Sequence, residues 1–295
     1  MAISPYVYRL VLAERMLDLR QQAGLKTEDL SSMSRIQRQK ISHIETAKQR
    51  VDPEVIRQLL AHLDVQANQF DNVMRLAAGS AEPGWWERFD DEMGPRQALA
   101  AAIEQGARSI FQFQPFLMPG LLQTRNFAAV RAVADRSANS RRFSKARMLE
   151  AREKRQAILD GADSPHFEVV IDEGVLRRRS APPDVMHEQI EHIIGAVLNK
   201  RSVAVRILPF EAVSNEHAQA RTAFTQYAFT DPEALDITLV DTNVEDHLYQ
   251  SHDANDKDKL TVFTGLASEL REAALSPAES IERLTEAAEA FLSRR

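Results

Sequence analysis

The 295-residue chain contains no cysteine, which removes disulfide frameworks, thiolate metal sites and thiol nucleophiles at once. No apolar run approaches the roughly 18 residues needed to cross a bilayer, and the N-terminus lacks the basic-then-apolar order of a secretory leader. Familiar catalytic signatures are missing as well. There is no Gly-x-Gly-x-x-Gly, no Gly-rich phosphate-loop motif, no His-Glu-x-x-His and no Gly-x-Ser-x-Gly. These absences lead us to expect a cytoplasmic protein that is not an enzyme, carries no cofactor or metal and does not associate with membranes.

What is present fits an ordinary globular chain. Hydrophobic residues make up 44% of it, enough to bury a core, and the length accommodates about two domains. The net charge is −6, but it is unevenly spread. The first 80 residues hold 11 basic against 9 acidic side chains, and the remainder holds 26 against 34. Within residues 35–50, Arg35, Arg38, Lys40, Lys48 and Arg50 face only Glu45. A local basic patch on an acidic protein is the charge pattern of site-specific DNA binding, not of a chain that coats nucleic acid along its length.

Helical spacing of Leu12, Met16, Leu19 and Ala23 predicts a first helix over about 7–23, closed by Gly24. Thr27 is positioned to cap a short second helix containing Leu30, and a third spans about 37–46. Asp52-Pro53-Glu54 is a strong helix start, with a capping acid followed by proline at the first helical position. A fifth helix over about 68–76 completes a bundle. We place a helix-turn-helix domain at 1–78, a linker at 79–86 on the strength of Ala78-Gly79-Ser80-Ala81-Glu82-Pro83-Gly84, and an α+β domain at 87–295. In the latter, helices are expected near 95–107, 121–136, 143–160, 184–199, 257–274 and 277–293. Apolar runs at 167–171 and 203–208, separated by one helix, form a strand–helix–strand unit that favours parallel pairing. Further strands are expected at 223–229 and 237–240.

The third helix carries the functional argument. At 100° per residue, Ile41 and Ile44 point to one side, while Gln39, Ser42, His43 and Thr46 occupy the other, with Arg38 and Lys40 at its edges. Most polar helix faces are merely solvated. This one stands in a basic patch on a short helix with an apolar back, a form that enters a major groove, where Gln pairs with adenine and Arg with guanine. Arg38, Gln39, Ser42 and His43 are the candidate base contacts. Thr27, Lys40, Thr46, Lys48 and Arg50 are the candidate phosphate contacts, which position without reading sequence. Glu45 turns toward the core edge, within reach of Arg20 of the first helix.

The order Leu19-Arg20, Gly24-Leu25, Leu30, Lys40-Ile41-Ser42, Ile44-Glu45-Thr46 and Asp52-Pro53 resembles the Cro/repressor-like helix-turn-helix family, the xenobiotic response element group, over about 60 residues. The resemblance implies binding of double-stranded DNA; a homodimer reading two half-sites is expected because one small module buries too little surface for tight specific binding. Two positions depart from it: Arg35 and Ala47 stand where that family usually has glycine. Downstream, Gly84-Trp85-Trp86, Gln114-Pro115-Phe116-Leu117-Met118-Pro119-Gly120-Leu121-Leu122-Gln123-Thr124, Arg152, Arg155-Gln156, Ile171-Asp172-Glu173, Glu188-Gln189 and 205–210 resemble the C-terminal domain of actinobacterial antitoxin-like transcriptional regulators. That resemblance implies regulation, as repressor or activator, with a small neighbour-encoded protein as a partner to consider.

Two rival roles follow: a regulator that sequesters a partner protein, or a small-molecule sensor with Trp85, Trp86 and Phe116 as weak ligand candidates. Pro119-Gly120 is a turn into a helix start. Arg141, Arg142, Lys145, Arg147, Arg152, Lys154 and Arg155 form a basic helix; such charge runs are usually solvated faces, and contact with DNA flanking the operator or with an acidic partner is the alternative. His247, His252, Asp253, Asp256 and Asp258 match no metal-ligand spacing and read as a polar loop. Ile281, Leu284, Ala288, Phe291 and Leu292 line one side of the last helix, facing either a dimer partner or their own domain.

Overall fold

The computed structural model describes residues 4–134, 143–212, 220–230, 235–242, 246–251 and 255–292. The chain divides into two compact units. One comprises Met1–Glu87, Leu99–Gly106 and Phe229–Leu235, and the other Arg88–Ala98, Ala107–Ala228 and Asp236–Arg295.

The first unit is a helical bundle of α1 (Pro5–Gln22), α2 (Thr27–Ser34), α3 (Arg38–Glu45), α4 (Pro53–Leu60) and α5 (Ala67–Ala81). Each start has a local cause. The buried Ser4 hydroxyl accepts from the Val7 N–H at 3.1 Å ahead of Pro5. The Asp52 carboxylate accepts from the Glu54 N–H at 2.9 Å ahead of Pro53. Thr27 is not the cap of α2 but its first residue. Lys26 takes the extended capping position, and the Asp29 carboxylate reaches back to accept from its N–H at 2.8 Å. Leu12, Met16, Leu30, Ile41, Ile44, Ile56, Leu59 and Leu76 form the bundle's fully buried core.

Residues 79–86 differ from the expected linker. α5 continues through Ala81, with Ser80 buried and its hydroxyl donating to the Ala77 carbonyl. Gly79 lies so close to the Tyr8 ring that a Cβ there would stand 2.6 Å from it. A linker-like composition is therefore what a tight α1–α5 crossing requires. The same holds at Gly84, where a Cβ would meet the indole of the buried Trp86 at 2.2 Å.

The second unit is built on a mixed six-stranded sheet ordered β3-β2-β1-β4-β5-β6. α6 (Asp90–Glu104), kinked at Gly94 with φ 67°, belongs to this unit through Ala98 and to the first from Leu99; after it come β1 (Ala107–Gln114), α7 (Arg125–Ala134), α8 (Lys145–Gln156) and β2 (His166–Asp172). Then follow α9 (Glu173–Arg177), α10 (Pro183–Asn199), β3 (Val203–Leu208), β4 (Phe224–Phe229), β5 (Ile237–Val240), β6 (His247–Gln250), α11 (Lys257–Ala273) and α12 (Pro277–Leu292). The expected parallel pair is present, with Phe167 opposite Val203 and Ile171 opposite Ile207. β1 joins it, also parallel, with Phe113 opposite Val170, and β4-β5-β6 pair antiparallel. Side chains alternate between faces. Phe111, Phe113, Val170, Phe224 and Val240 pack with Ala267 and Leu270 of α11.

One expectation changes here, and two open alternatives are narrowed. The stretch read as a polar loop begins with strand β6, where His247 stacks on Tyr249 with ring centroids 6.4 Å apart, and Asp256 accepts from the Gln250 N–H at 3.2 Å. His252 and Asp253 lie outside the described residues. The apolar side of α12 faces its own unit: Leu284, Ala288 and Phe291 are buried, α12 packs on α10 and β3, and the Ser280 hydroxyl accepts from the Ile207 N–H at 3.0 Å. Finally, the basic α8 is largely engaged within its own unit. Arg147 pairs with Glu92 at 2.8 Å and stacks on Phe89, and Arg152 donates to Gln123 and Gln97. Arg141 and Arg142 lie outside the described residues.

One carboxyl of this unit makes its stability pH-dependent. Burial, and then the neighbouring Asp246 charge, push Asp241 up to about 6 against the pull of Arg96 and Arg155. The folded chain holds this proton more tightly than the unfolded one. Its stabilising effect is therefore complete below pH 3.8 and is lost as pH rises through about 6. Asp241→Asn is expected to stabilise the second unit at pH 8 by about 2 kcal/mol and to leave stability at pH 4 nearly unchanged. Urea melts of both chains at the two pH values check this; an equal effect at both contradicts it.

Candidate nucleic-acid interface

The aim of α3 depends on the turn before it and the ion pair behind it. Ile41 and Ile44, 1% and 2% exposed, fix one side of the helix in the bundle core. Glu45 anchors its end through a two-pronged pair with Arg20 of α1, Nε to Oε1 at 2.6 Å and Nη2 to Oε2 at 2.9 Å. Arg20 also donates to the Leu25 carbonyl at 2.8 Å, tying in the α1–α2 turn. The Glu45 hydrogen bond holds the Arg20 guanidinium above its ordinary pKa, against the opposing effect of burial.

The departures from glycine at Arg35 and Ala47 are met by strain, not by a different turn. Both residues are left-handed, with φ 58° and 53°. Ser31 and Ser34 hold the first turn, and their role was not read from the sequence. The Ser31 hydroxyl donates to the Ile36 carbonyl at 2.7 Å, and the Ser34 oxygen accepts from the Ile36 N–H at 3.3 Å. A side chain in this conformation costs about 1 kcal/mol, part of which glycine returns through its looser unfolded chain. Arg35→Gly is therefore expected to stabilise the first unit by about 0.5 kcal/mol. Urea unfolding followed by the fluorescence of Trp85 and Trp86, the chain's two tryptophans, measures it; destabilisation would mean that the Arg35 side chain contributes to folding.

The opposite face of α3 carries the proposed readers. Arg38, Gln39, Ser42 and Thr46 are exposed, and His43 is half-buried. Their spacing of three and four residues puts Gln39, Ser42, His43 and Thr46 in one line along the helix. Arg38 rests on Glu28 of α2, Nε to Oε1 at 3.1 Å, with both side chains largely exposed. Such a pair is worth little in water. The Thr46 hydroxyl donates to the Ser42 carbonyl at 2.7 Å and keeps acceptor capacity. Lys40 and Lys48 are exposed, Thr27 is half-buried at the start of α2, and Arg50 pairs with Glu87 at 3.0 Å.

The ligand candidates fall into different units. Trp86 is buried and Trp85 half-buried in the first, stacked edge to face at 6.2 Å, whereas Phe116 of the second is exposed. The segment around Pro119-Gly120 is a hub of amide contacts within the second unit. Gln189 accepts from the Thr124 N–H and donates to the Leu122 carbonyl, both at 2.7 Å. Gln156 donates to the Gly120 and Gln123 carbonyls at 2.9 and 2.7 Å. Gln156 and Gln189, far apart in the chain, thus converge on the one short segment Gly120–Thr124. Among the described residues, no group of three His, Asp or Glu side chains could hold a metal ion, and no helix is long and apolar enough to cross a membrane.

Comparison with known proteins agrees with this division. Residues 11–73 match the family model described as a helix-turn-helix domain, which makes the chain a DNA-binding regulator in outline. Residues 97–286 match the one described as a domain of unknown function (DUF5753). Comparison with the curated proteins and with the solved structures returned no match. With most of its length matched by the second model, the chain belongs to the DUF5753 family, with a helix-turn-helix domain preceding that region.

Proposed function

We propose that the protein is a sequence-specific transcriptional regulator of the Cro/repressor-like type, in which α3 enters the major groove of double-stranded DNA. Arg38, Gln39, Ser42 and His43 read base edges; Thr27, Lys40, Thr46, Lys48 and Arg50 meet phosphates. The observation that carries this reading is the two-sidedness of α3, with Ile41 and Ile44 locked in the core and a continuous hydrogen-bonding face left to solvent. A single module of this size buries too little surface for tight operator binding, so the regulator acts as a homodimer on two half-sites about one helical turn apart. The second unit supplies dimerisation and receives the signal. The protein has no catalytic role in this reading.

Phosphate contacts and base contacts separate by salt dependence. Lys40→Gln with Lys48→Gln removes two phosphate neutralisations per subunit. It is expected to reduce the log–log salt slope of binding by about 2 per subunit and to weaken binding to all duplexes alike. Fluorescence anisotropy over a salt series measures both. An unchanged slope would remove these lysines from the interface.

A further inference from the structure

In the second unit, at the carboxyl ends of the parallel strands β2 and β3, α9 and α12 enclose a cleft of about 270 Å3. That is the edge at which open sheets of parallel strands commonly bind ligands. The volume lies just below the roughly 300–1,000 Å3 of drug-sized ligand sites, which restricts the occupant to a small molecule. We propose that the cleft binds a small organic anion, a carboxylate carried on a compact apolar body.

The charge arrangement selects the class. Glu173, 1% exposed, has all its acceptor positions taken. Its Oε1 receives Nε and Nη2 of Arg177, at 2.9 and 2.5 Å. Its Oε2 receives Nη1 of Arg283 at 2.7 Å and the Phe210 N–H at 3.2 Å. A buried carboxylate saturated in this way has nothing left for a cationic ligand. It instead orients two guanidinium groups and balances one of their charges, while Glu211 and Glu286, which also act on Arg177, are exposed and screened by solvent. Nη1 of Arg177 and Nη2 of Arg283 are not used by Glu173, and planar guanidinium edges suit a carboxylate. Glu286 approaches Arg283 at 3.5 Å but is 73% exposed, so a bound anion displaces it at little cost.

The rest of the cleft is apolar, contributed by Leu176 of α9 and by Ala287 and Phe291 of α12. Phe210, 60% exposed, lies under the Arg177 guanidinium at 5.5 Å and keeps that side chain over the sheet edge. An apolar body with a carboxylate at one end satisfies both parts of the site. A bare inorganic anion leaves the apolar wall unused, and a neutral apolar molecule leaves the guanidinium donors unanswered. The site rests on the cleft alone and stands whether or not α3 binds DNA.

Titration calorimetry of the full chain with 4-phenylbutyrate and with hexanoate, each beside its primary amide, tests the proposal. Both carboxylates are expected to bind, and each amide to bind at least about tenfold more weakly. Ala287→Trp fills the cleft and Ala290→Glu adds a like charge at its exposed rim. Neither Ala287 nor Ala290 supplies a side-chain hydrogen bond to Glu173, and each variant is expected to abolish or sharply weaken carboxylate binding. Circular dichroism confirms folding, and one folded variant suffices. Absence of heat from either carboxylate at millimolar concentration overturns the proposal. So does amide binding equal to the acid, or a folded variant that binds as the wild type does.

Discussion

Glu45→Ala is expected to destabilise the first unit by about 2–3 kcal/mol, among the largest single-residue effects in the bundle. The Arg20 and Glu45 side chains are only 12% and 8% exposed. Removing the carboxylate strands a guanidinium that retains just the Leu25 carbonyl. Breaking one partner of a buried pair typically costs 3–5 kcal/mol, and the residual solvent contact at this site trims that figure. The prediction has an internal control. Replacing both partners, Arg20→Met with Glu45→Met, leaves no orphaned charge and is expected to recover most of the loss. Trp85 and Trp86 report on this unit, so urea melts followed by tryptophan fluorescence read it directly. A double variant as unstable as Glu45→Ala would mean that the pair holds the fold by its attraction and not by mutual satisfaction.

The second large effect concerns recognition. Arg38→Ala with Gln39→Ala removes two side chains able to make bidentate base contacts, each worth about 1–3 kcal/mol of discrimination. The double variant is expected to lose roughly 30-fold or more in affinity for its cognate duplex, while its binding to unrelated DNA falls far less. Both residues are exposed, and the Glu28 partner of Arg38 is a solvent-screened contact. Folding is therefore expected to survive within about 0.5 kcal/mol. Equal losses on cognate and unrelated DNA would assign the pair to the phosphate backbone.

What the sequence disclosed follows from the range of the interactions involved. The face of α3 was legible because Ile41 and Ile44 mark its inner side within one turn, and the Arg20–Glu45 pair because both residues belong to adjacent helices of a compact bundle. The parallel β2–β3 pair was legible from two apolar runs flanking one helix. β1 was not, although it is central to the sheet. Gln112 and Gln114 interrupt its apolar pattern, and Gln112 is tolerated inside because it donates at 3.2 Å to Thr225 of β4. A partner so distant in the chain leaves no local mark. β6 is four residues at the sheet edge, too short for alternation to show. The run through Gly79 looked like a linker because the reason for a glycine there, close approach of the Tyr8 ring on α1, lies far away in the chain. The cleft was hidden likewise. Glu173 and Arg177 are four apart, but Arg283 comes from a helix near the C-terminus.

The central claim, that α3 reads sequence, is tested most directly by titrating the full chain onto duplex DNA from upstream of its own gene. A scrambled duplex of equal length and composition serves as the reference, and both are measured at two salt concentrations. The account predicts at least about a thousandfold preference for the upstream duplex, and the preference should survive at the higher salt, where phosphate attraction weakens. Weak binding, equal on both duplexes and abolished by salt, would contradict it. The sequestering of a partner protein would then be the better description of the molecule.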